Sequence, residues 1–234
     1  MTMSGISRRS VEPSPDCTRL TIEVPLKTKI GRMKRFPCLL IASAVLALSG
    51  PILPANAQTF SSSYTSSAPK DCRTIGKPGS LDGSTTRVCP GKSGLVVLIS
   101  EDDLRETVSV GRNHVVAAKQ PASEAWFGPF NSTAHTVEWR AVDNKPFAII
   151  QRWLIADNAD PDKNGRPTAK PMLAVTRLPP GPVCHVAYID GQANRNPNEL
   201  ARQAADEFAR DFKCGKDEVK VVGEKGAAVS LAKR

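Results

Sequence analysis

The sequence predicts an exported α+β domain: an antiparallel sheet of about five to seven strands, packed by one C-terminal amphipathic helix. Three observations carry this expectation. Short apolar runs with period-two alternation recur between clusters of Gly, Pro, Asn and Asp, which is how strands and their turns are written. One long segment, after Asn196, carries a helical period instead. Met33-Lys-Arg, the 18-residue apolar run Phe36–Leu53 and the small-x-small triplet Ala55-Asn-Ala57 together make a secretory signal peptide over residues 33–57.

The signal organises the rest of the chain. Residues 1–32 show no apolar periodicity and read as a leader produced by a misassigned start at Met1 rather than Met33. Pro37, Pro51 and Pro54 interrupt the apolar run, so it is read as cleaved after Ala57, with no stable membrane anchor left behind. The formal charge of +9 is then mostly leader. From Gln58 onward, 24 basic residues face 20 acidic ones, and that modest excess, with no long Lys/Arg run, argues against nucleic acid as a partner. Of six cysteines, Cys72, Cys89, Cys184 and Cys214 remain after cleavage. An even number in an oxidising compartment, periplasm or extracellular space, predicts two disulfides. The local pairings Cys72–Cys89 and Cys184–Cys214 are preferred among three connectivities.

Residues 58–70 are Ser-rich with little to bury and are expected to be a disordered linker. A single disulfide-stapled globular domain is expected over 71–222. Cys72–Cys89 encloses a turn-dense loop. Gly94–Ser100 is a continuous apolar run, short enough for a strand buried on both faces. Gly91-Lys-Ser93 before it is no phosphate loop, because Thr86 stands where the first glycine is needed and a strand follows. Glu101–Arg105 is a polar turn and Thr107–Val110 a short strand. The segment 111–136 is the least legible; it holds the aromatic cluster Trp126-Phe-Gly-Pro-Phe130, expected mainly as core.

Val137–Val142 alternates cleanly, and Phe147–Ile155 with Met172–Leu178 reads as a hairpin around a long polar loop, Asp157–Pro171. Val183–Ile189 is another strand; period two places Cys184, Val186 and Tyr188 on one face and His185, Ala187 and Ile189 on the other. Asn196-Pro-Asn-Glu199 is a capping box with Pro at the first helical position. The helix Pro197–Lys213 follows, with Leu200, Ala204, Phe208 and Phe212 inward and Arg202, Asp206 and Arg210 on the wet side. Folded back along the Val183–Ile189 strand, a helix of that length brings Cys214 beside Cys184. Glu218–Val222 could add an edge strand, and residues 223–234 are expected to be a flexible tail.

The chemistry is sparse. Asp160, Asp162 and Asn164, with Gly165, match the opening of a calcium loop but lack the closing bidentate Glu, so calcium is the one cofactor considered, held weakly. Arg140, Arg152 and Arg177 fall on three successive strands and could form a stripe for an anionic ligand. No catalytic motif is present; an assembled site would have to recruit His114, His135 and carboxylates. The reading is therefore a non-enzymatic interaction or accessory module that binds an unknown protein or anionic envelope component. Two alternatives stand beside it: a small hydrolase-like exported enzyme, and a weak calcium-binding module at Asp160–Gly165.

Overall fold

A computed structural model of the chain describes residues 58–76 and 84–232; the expected leader and signal peptide lie outside them. The described strands are β1 (Phe60–Ser66), β2 (Arg73–Ile75), β3 (Thr85–Pro90), β4 (Val96–Asp102), β5 (Arg105–Gly111), β6 (Asn131–Val142), β7 (Lys145–Pro161), β8 (Pro167–Arg177), β9 (His185–Asp190) and β10 (Lys220–Val221). Three helices, α1 (His114–Ala117), α2 (Pro197–Phe208) and α3 (Ala227–Ala232), join them. The expected single sheet is in fact two. A central sheet runs β1-β6-β7-β8-β9-β10, and a smaller one runs β2-β3-β4-β5. The central sheet packs against the small sheet on one face and α2 on the other, giving three layers with two cores.

The meander β6-β7-β8-β9 follows the predicted strands. Its first turn places Asp143 and Asn144 at positive φ, and the β4–β5 turn does the same with Asp103 and Leu104, the geometry that matches strand twist in a two-residue hairpin. The β7–β8 hairpin is longer than expected. Asp157 pairs with Thr168 and Pro161 with Pro167, so most of the supposed loop is ladder and only 162–166 turns.

Residues 58–70 are not a linker. β1 pairs with β6 along its whole length, from Phe60↔Val142 to Ser66↔Thr136. Its alternation is hidden by serine: Phe60 packs edge-on to Phe147 at 5.9 Å, while on the other face the Thr65 hydroxyl accepts from Trp139 Nε1 at 2.8 Å. The turn-dense stretch between Cys72 and Cys89 likewise supplies β2 and β3, and the tail contributes α3. Ala228, Val229 and Ala232 of that helix enter the core between the sheets, and buried Asp190 accepts from the Gln192 and Ala193 amides and, at 3.4 Å, from Val229.

The inter-sheet core holds Val97, Ile99, Val108 and Val110 from the small sheet against Trp139, Ile149, Trp153, Ile155 and Met172 from the central one. Gly91 is required here: a Cβ on it would lie 2.8 Å from the Trp139 ring. Glu106 fastens the two sheets. Its carboxylate accepts from Arg87 at 2.7 Å and from the backbone and hydroxyl of Thr133 at 2.6 and 2.7 Å.

The α2 face is built from Ala148, Ile150, Leu173, Val175 and Ile189 beneath Ala201, Ala204 and Ala205. Arg202 and Asp206 are not on the wet side. They sit half-buried over β6, where Asp206 binds Arg140 and Arg202 binds Glu138. α2 also ends at Phe208, sooner than expected. Beyond it the chain turns to bury Phe212 and to bring Cys214 to Cys184. The structure contains both cystines, Cys72–Cys89 with Cα atoms 4.3 Å apart and Cys184–Cys214 at 5.9 Å.

Strict period two fails on β9. Val175 pairs with Ala187 and Thr176 with His185, so Val186 is the extra residue of a β-bulge. The bulge puts Val186 and Ala187 both toward α2, and thereby turns Tyr188 to the same face as His185. Those two side chains are joined at 2.8 Å through Nδ1 and the phenol oxygen.

Candidate functional site

The segment between β5 and β6, which has little regular pattern, carries two exposed aromatic side chains, Trp126 and Phe130. After β5 the Asn113 side chain caps α1 by accepting from the Val116 amide at 2.9 Å, and Ser109 of β5 donates to Ala117 O at 2.9 Å. A short 3-10 helix over Pro121–Glu124 is then moored to the stretch before β9. Ala122 N donates to Val183 O, and Gln120 Oε1 accepts from Val183 N, both at 3.0 Å. The α1 and 3-10 segments thus cover the outer face of β4 and β5 but leave its turn end open.

At that open end the aromatic cluster splits. Phe127 is 2% exposed and enters the core, edge-on to Trp153 and Tyr188 and stacked on the His185 ring at 6.0 Å. Trp126 and Phe130 point out, 46% and 42% exposed, beside Leu104 at 61%. Arg105 lies between the two rings, its guanidinium carbon 4.9 Å from the Phe130 centroid and 5.9 Å from that of Trp126. Nε of Arg105 donates to Gly128 O at 2.8 Å, and Nη1 donates to Asp103 O at 2.9 Å and pairs with the Asp103 carboxylate. These bonds fix a cation between two aromatic faces, an arrangement that holds both rings in place.

Three clefts surround this stack. The largest, about 630 Å³, has a floor of Ser100, Asp102, Arg105 and Thr107 and a wall of Ser123 and Trp126. A second, about 480 Å³, lies between Leu104 and Phe130 and reaches Leu154 and Pro167. The third, about 310 Å³, is apolar and runs from Trp126 and Tyr188 to Val219, Val221 and Val229. Trp126 is shared by the first and third.

The residues singled out by sequence are dispersed. Arg140, Arg152 and Arg177 do share the α2 face of the central sheet, but each has its own partner. Arg140 is held by Asp206 and Ser62, Arg152 donates to Asn198 Oδ1 at 2.9 Å, and Arg177 donates to Pro180 O at 2.9 Å. Beside Arg140, the Glu138 carboxylate raises the Arg202 guanidinium above its ordinary range through a direct hydrogen bond, against the opposing effect of burial.

At the hairpin tip, Asp162 Oδ1 accepts from the backbone amides of Asn164 and Arg166 at 2.8 and 2.9 Å, and Gly165 takes φ +75°. Asp160 is turned to Lys170 and to the Thr168 hydroxyl; the hydrogen bond from Lys170 holds its carboxyl below the ordinary 3.8, with Thr168 adding to the effect. Both carboxylates are thus engaged within the turn. Among the described residues no three His, Cys, Asp or Glu side chains group in a way that would hold a metal ion.

His114 opens α1 and His135 lies exposed in the irregular stretch of β6; neither lines the three clefts. Asn131, the head of an Asn-Ser-Thr triplet, is buried and spent, its Oδ1 accepting from Glu106 N and its Nδ2 donating to Pro129 O. The Trp126–Arg105–Phe130 stack escaped the sequence reading because Arg105 is separated from the aromatic pair by α1 and the 3-10 helix. Gly128-Pro129 between two aromatics was the only signal for it. No family model, no characterised protein and no solved structure matches the chain.

Proposed function

We propose that this protein is an exported, non-catalytic binding module that engages a macromolecule of the cell envelope through the face formed by Leu104, Arg105, Trp126 and Phe130. One observation carries the reading. Two large aromatic side chains stand exposed around a hydrogen-bonded arginine, at the junction of three clefts, on a loop moored at several points. Aromatic residues and arginine are the side chains that dominate binding energy at interfaces, and a rigid mount lowers the ordering cost of using them. Export is supported by the signal-like segment 33–57 and agrees with the two disulfides. The enzyme alternative draws on His114 and His135, which stand apart from the clefts; the calcium alternative draws on carboxylates already engaged in turn hydrogen bonds.

The test is photocrosslinking in the native compartment with benzoylphenylalanine at position 130, against a control at Gln203 on the exposed side of α2. The expected result is an envelope adduct, protein or glycan, from position 130 and none from 203. Equal or absent labelling at both positions overturns the reading.

A further inference from the structure

We infer that the cleft between Trp126 and the outer face of β4–β5 is a subsite for a neutral glycan. This rests on the binding face just proposed and assigns its ligand chemistry.

The floor is a regular polar array. Ser100 and Thr107 are register partners, as are Asp102 and Arg105, so alternation on two adjacent strands points all four side chains to the same side, away from the inter-sheet core. A pyranose presents the same pairing, with hydroxyls that both donate and accept around a ring whose C–H faces are apolar. Asp102 supplies acceptors only, the hydroxyl of Thr107 supplies both functions, and Arg105 Nη2 is a donor left over once Nε and Nη1 are spent on Gly128 and Asp103. Ser123 shares its one hydroxyl proton between the Ala118 and Gln120 carbonyls at 2.8 and 2.7 Å, so toward a ligand it can only accept. Trp126 completes the set as the wall. Its electron-rich face suits the weakly positive C–H face of a sugar, and its backbone amide donates to Glu124 O at 3.1 Å, which fixes the ring's base. The volume, about 630 Å³, lies in the usual range for ligand sites, about 300–1,000 Å³.

The same geometry argues against other occupants. An anionic polymer would meet Asp102 and Asp103, while the one cation present, Arg105, is already paired with Asp103. A peptide adding to the sheet would need the free edge of β5. That edge is taken where it borders the cleft: Asn131 N donates to Leu104 O at 2.9 Å and Asn131 Oδ1 accepts from Glu106 N at 3.1 Å.

The experiment exposes the disulfide-intact protein to an array of immobilised neutral oligosaccharides (glucose, galactose, mannose and N-acetylglucosamine oligomers in α and β linkage), alongside acidic glycans. Retention of a neutral glycan is expected, little changed by salt, weakened about tenfold in Trp126→Ala, the loss one aromatic contact would give, and weakened also in Thr107→Val. Near-ultraviolet circular dichroism confirms that each variant is folded. Retention of no neutral glycan, of acidic glycans only, or of neutral glycans equally by wild type and Trp126→Ala overturns the inference. A position-130 crosslink to a protein with an empty array would refute the glycan while leaving the binding face standing; failure of both removes both.

Discussion

The two faces of the central sheet solve the burial problem in opposite ways. Toward the small sheet, β6 to β8 present Trp139, Ile149, Trp153, Ile155 and Met172, large side chains that meet the valines and isoleucine of β4 and β5. Toward α2 they present smaller residues, against a helix whose fully buried positions are alanine, flanked by Leu200 and Phe208, so little area is gained per buried residue. That face is rimmed by Arg140–Asp206 and Arg202–Glu138 and closed by Cys184–Cys214. Bulk does most of the holding on one side, with Glu106 tying the sheets together; on the other, fasteners with defined geometry take a larger share. Charged pairs of this kind contribute little net stability against an apolar replacement, yet losing one partner leaves the other desolvated.

The contrast can be tested in order of expected effect. Trp153→Ala empties the centre of the inter-sheet core and is expected to cost about 3–5 kcal/mol in denaturant unfolding. A loss near 1 kcal/mol would mean that core collapses around the hole. Removing Cys184–Cys214 by paired serine substitution is expected to cost about 3.6 kcal/mol on the loop-entropy estimate, slightly more than about 3 for Cys72–Cys89, since it closes 30 residues against 17. Asp206→Ala strands the Arg140 guanidinium and should cost about 2 kcal/mol; a double-mutant cycle with Arg140→Met should recover part of it. Trp126→Ala, on neither face, should move stability by less than about 0.5 kcal/mol, so any loss of binding in that variant is local.

The last effect concerns protonation. Asp160 is exposed, and its carboxyl is held below 3.8 first by the hydrogen bond from Lys170. A lowered folded value means that the contact is complete above the ordinary carboxylate range and lost only as pH falls through the lowered value. Side-chain carboxyl NMR should show the titration shifted down in the native protein and returned toward 3.8 in Lys170→Ala. No difference between the two would mean that the tip is not organised by this pair.

Sequence pattern read the molecule well where one face of a strand is apolar and the other is not. β4, β5, β7, β8 and β9 were visible as alternation or as buried runs, as was β6 from Val137 onward, and the Cys184–Cys214 pairing was expected although α2 stops at Phe208 and a turn closes the distance. It failed where polar side chains do the packing. β1 orders because its hydroxyls and aromatic rings have partners on β6, β7 and α2, none adjacent in sequence. It failed also at the β9 bulge, where one inserted residue reverses every later side chain. β2 and β3 of the second sheet were missed because they are short and are joined through a segment dense in Gly, Pro, Ser and Asp. The hairpin tip was the most conspicuous motif, but Asp162 there satisfies the turn's own amides, those of Asn164 and Arg166. The aromatic face was nearly silent because Arg105 and Trp126 come together only after the intervening chain has folded over β5.

β1 carries a consequence for how the molecule assembles. Ser62 and the Glu138 carboxylate it donates to are 76 residues apart in sequence. The first strand thus waits for its neighbour until the chain has been made as far as β6. A newly made chain therefore carries β1 unpaired until β6 has emerged, while the meander β6–β9 pairs each strand with its neighbour in sequence.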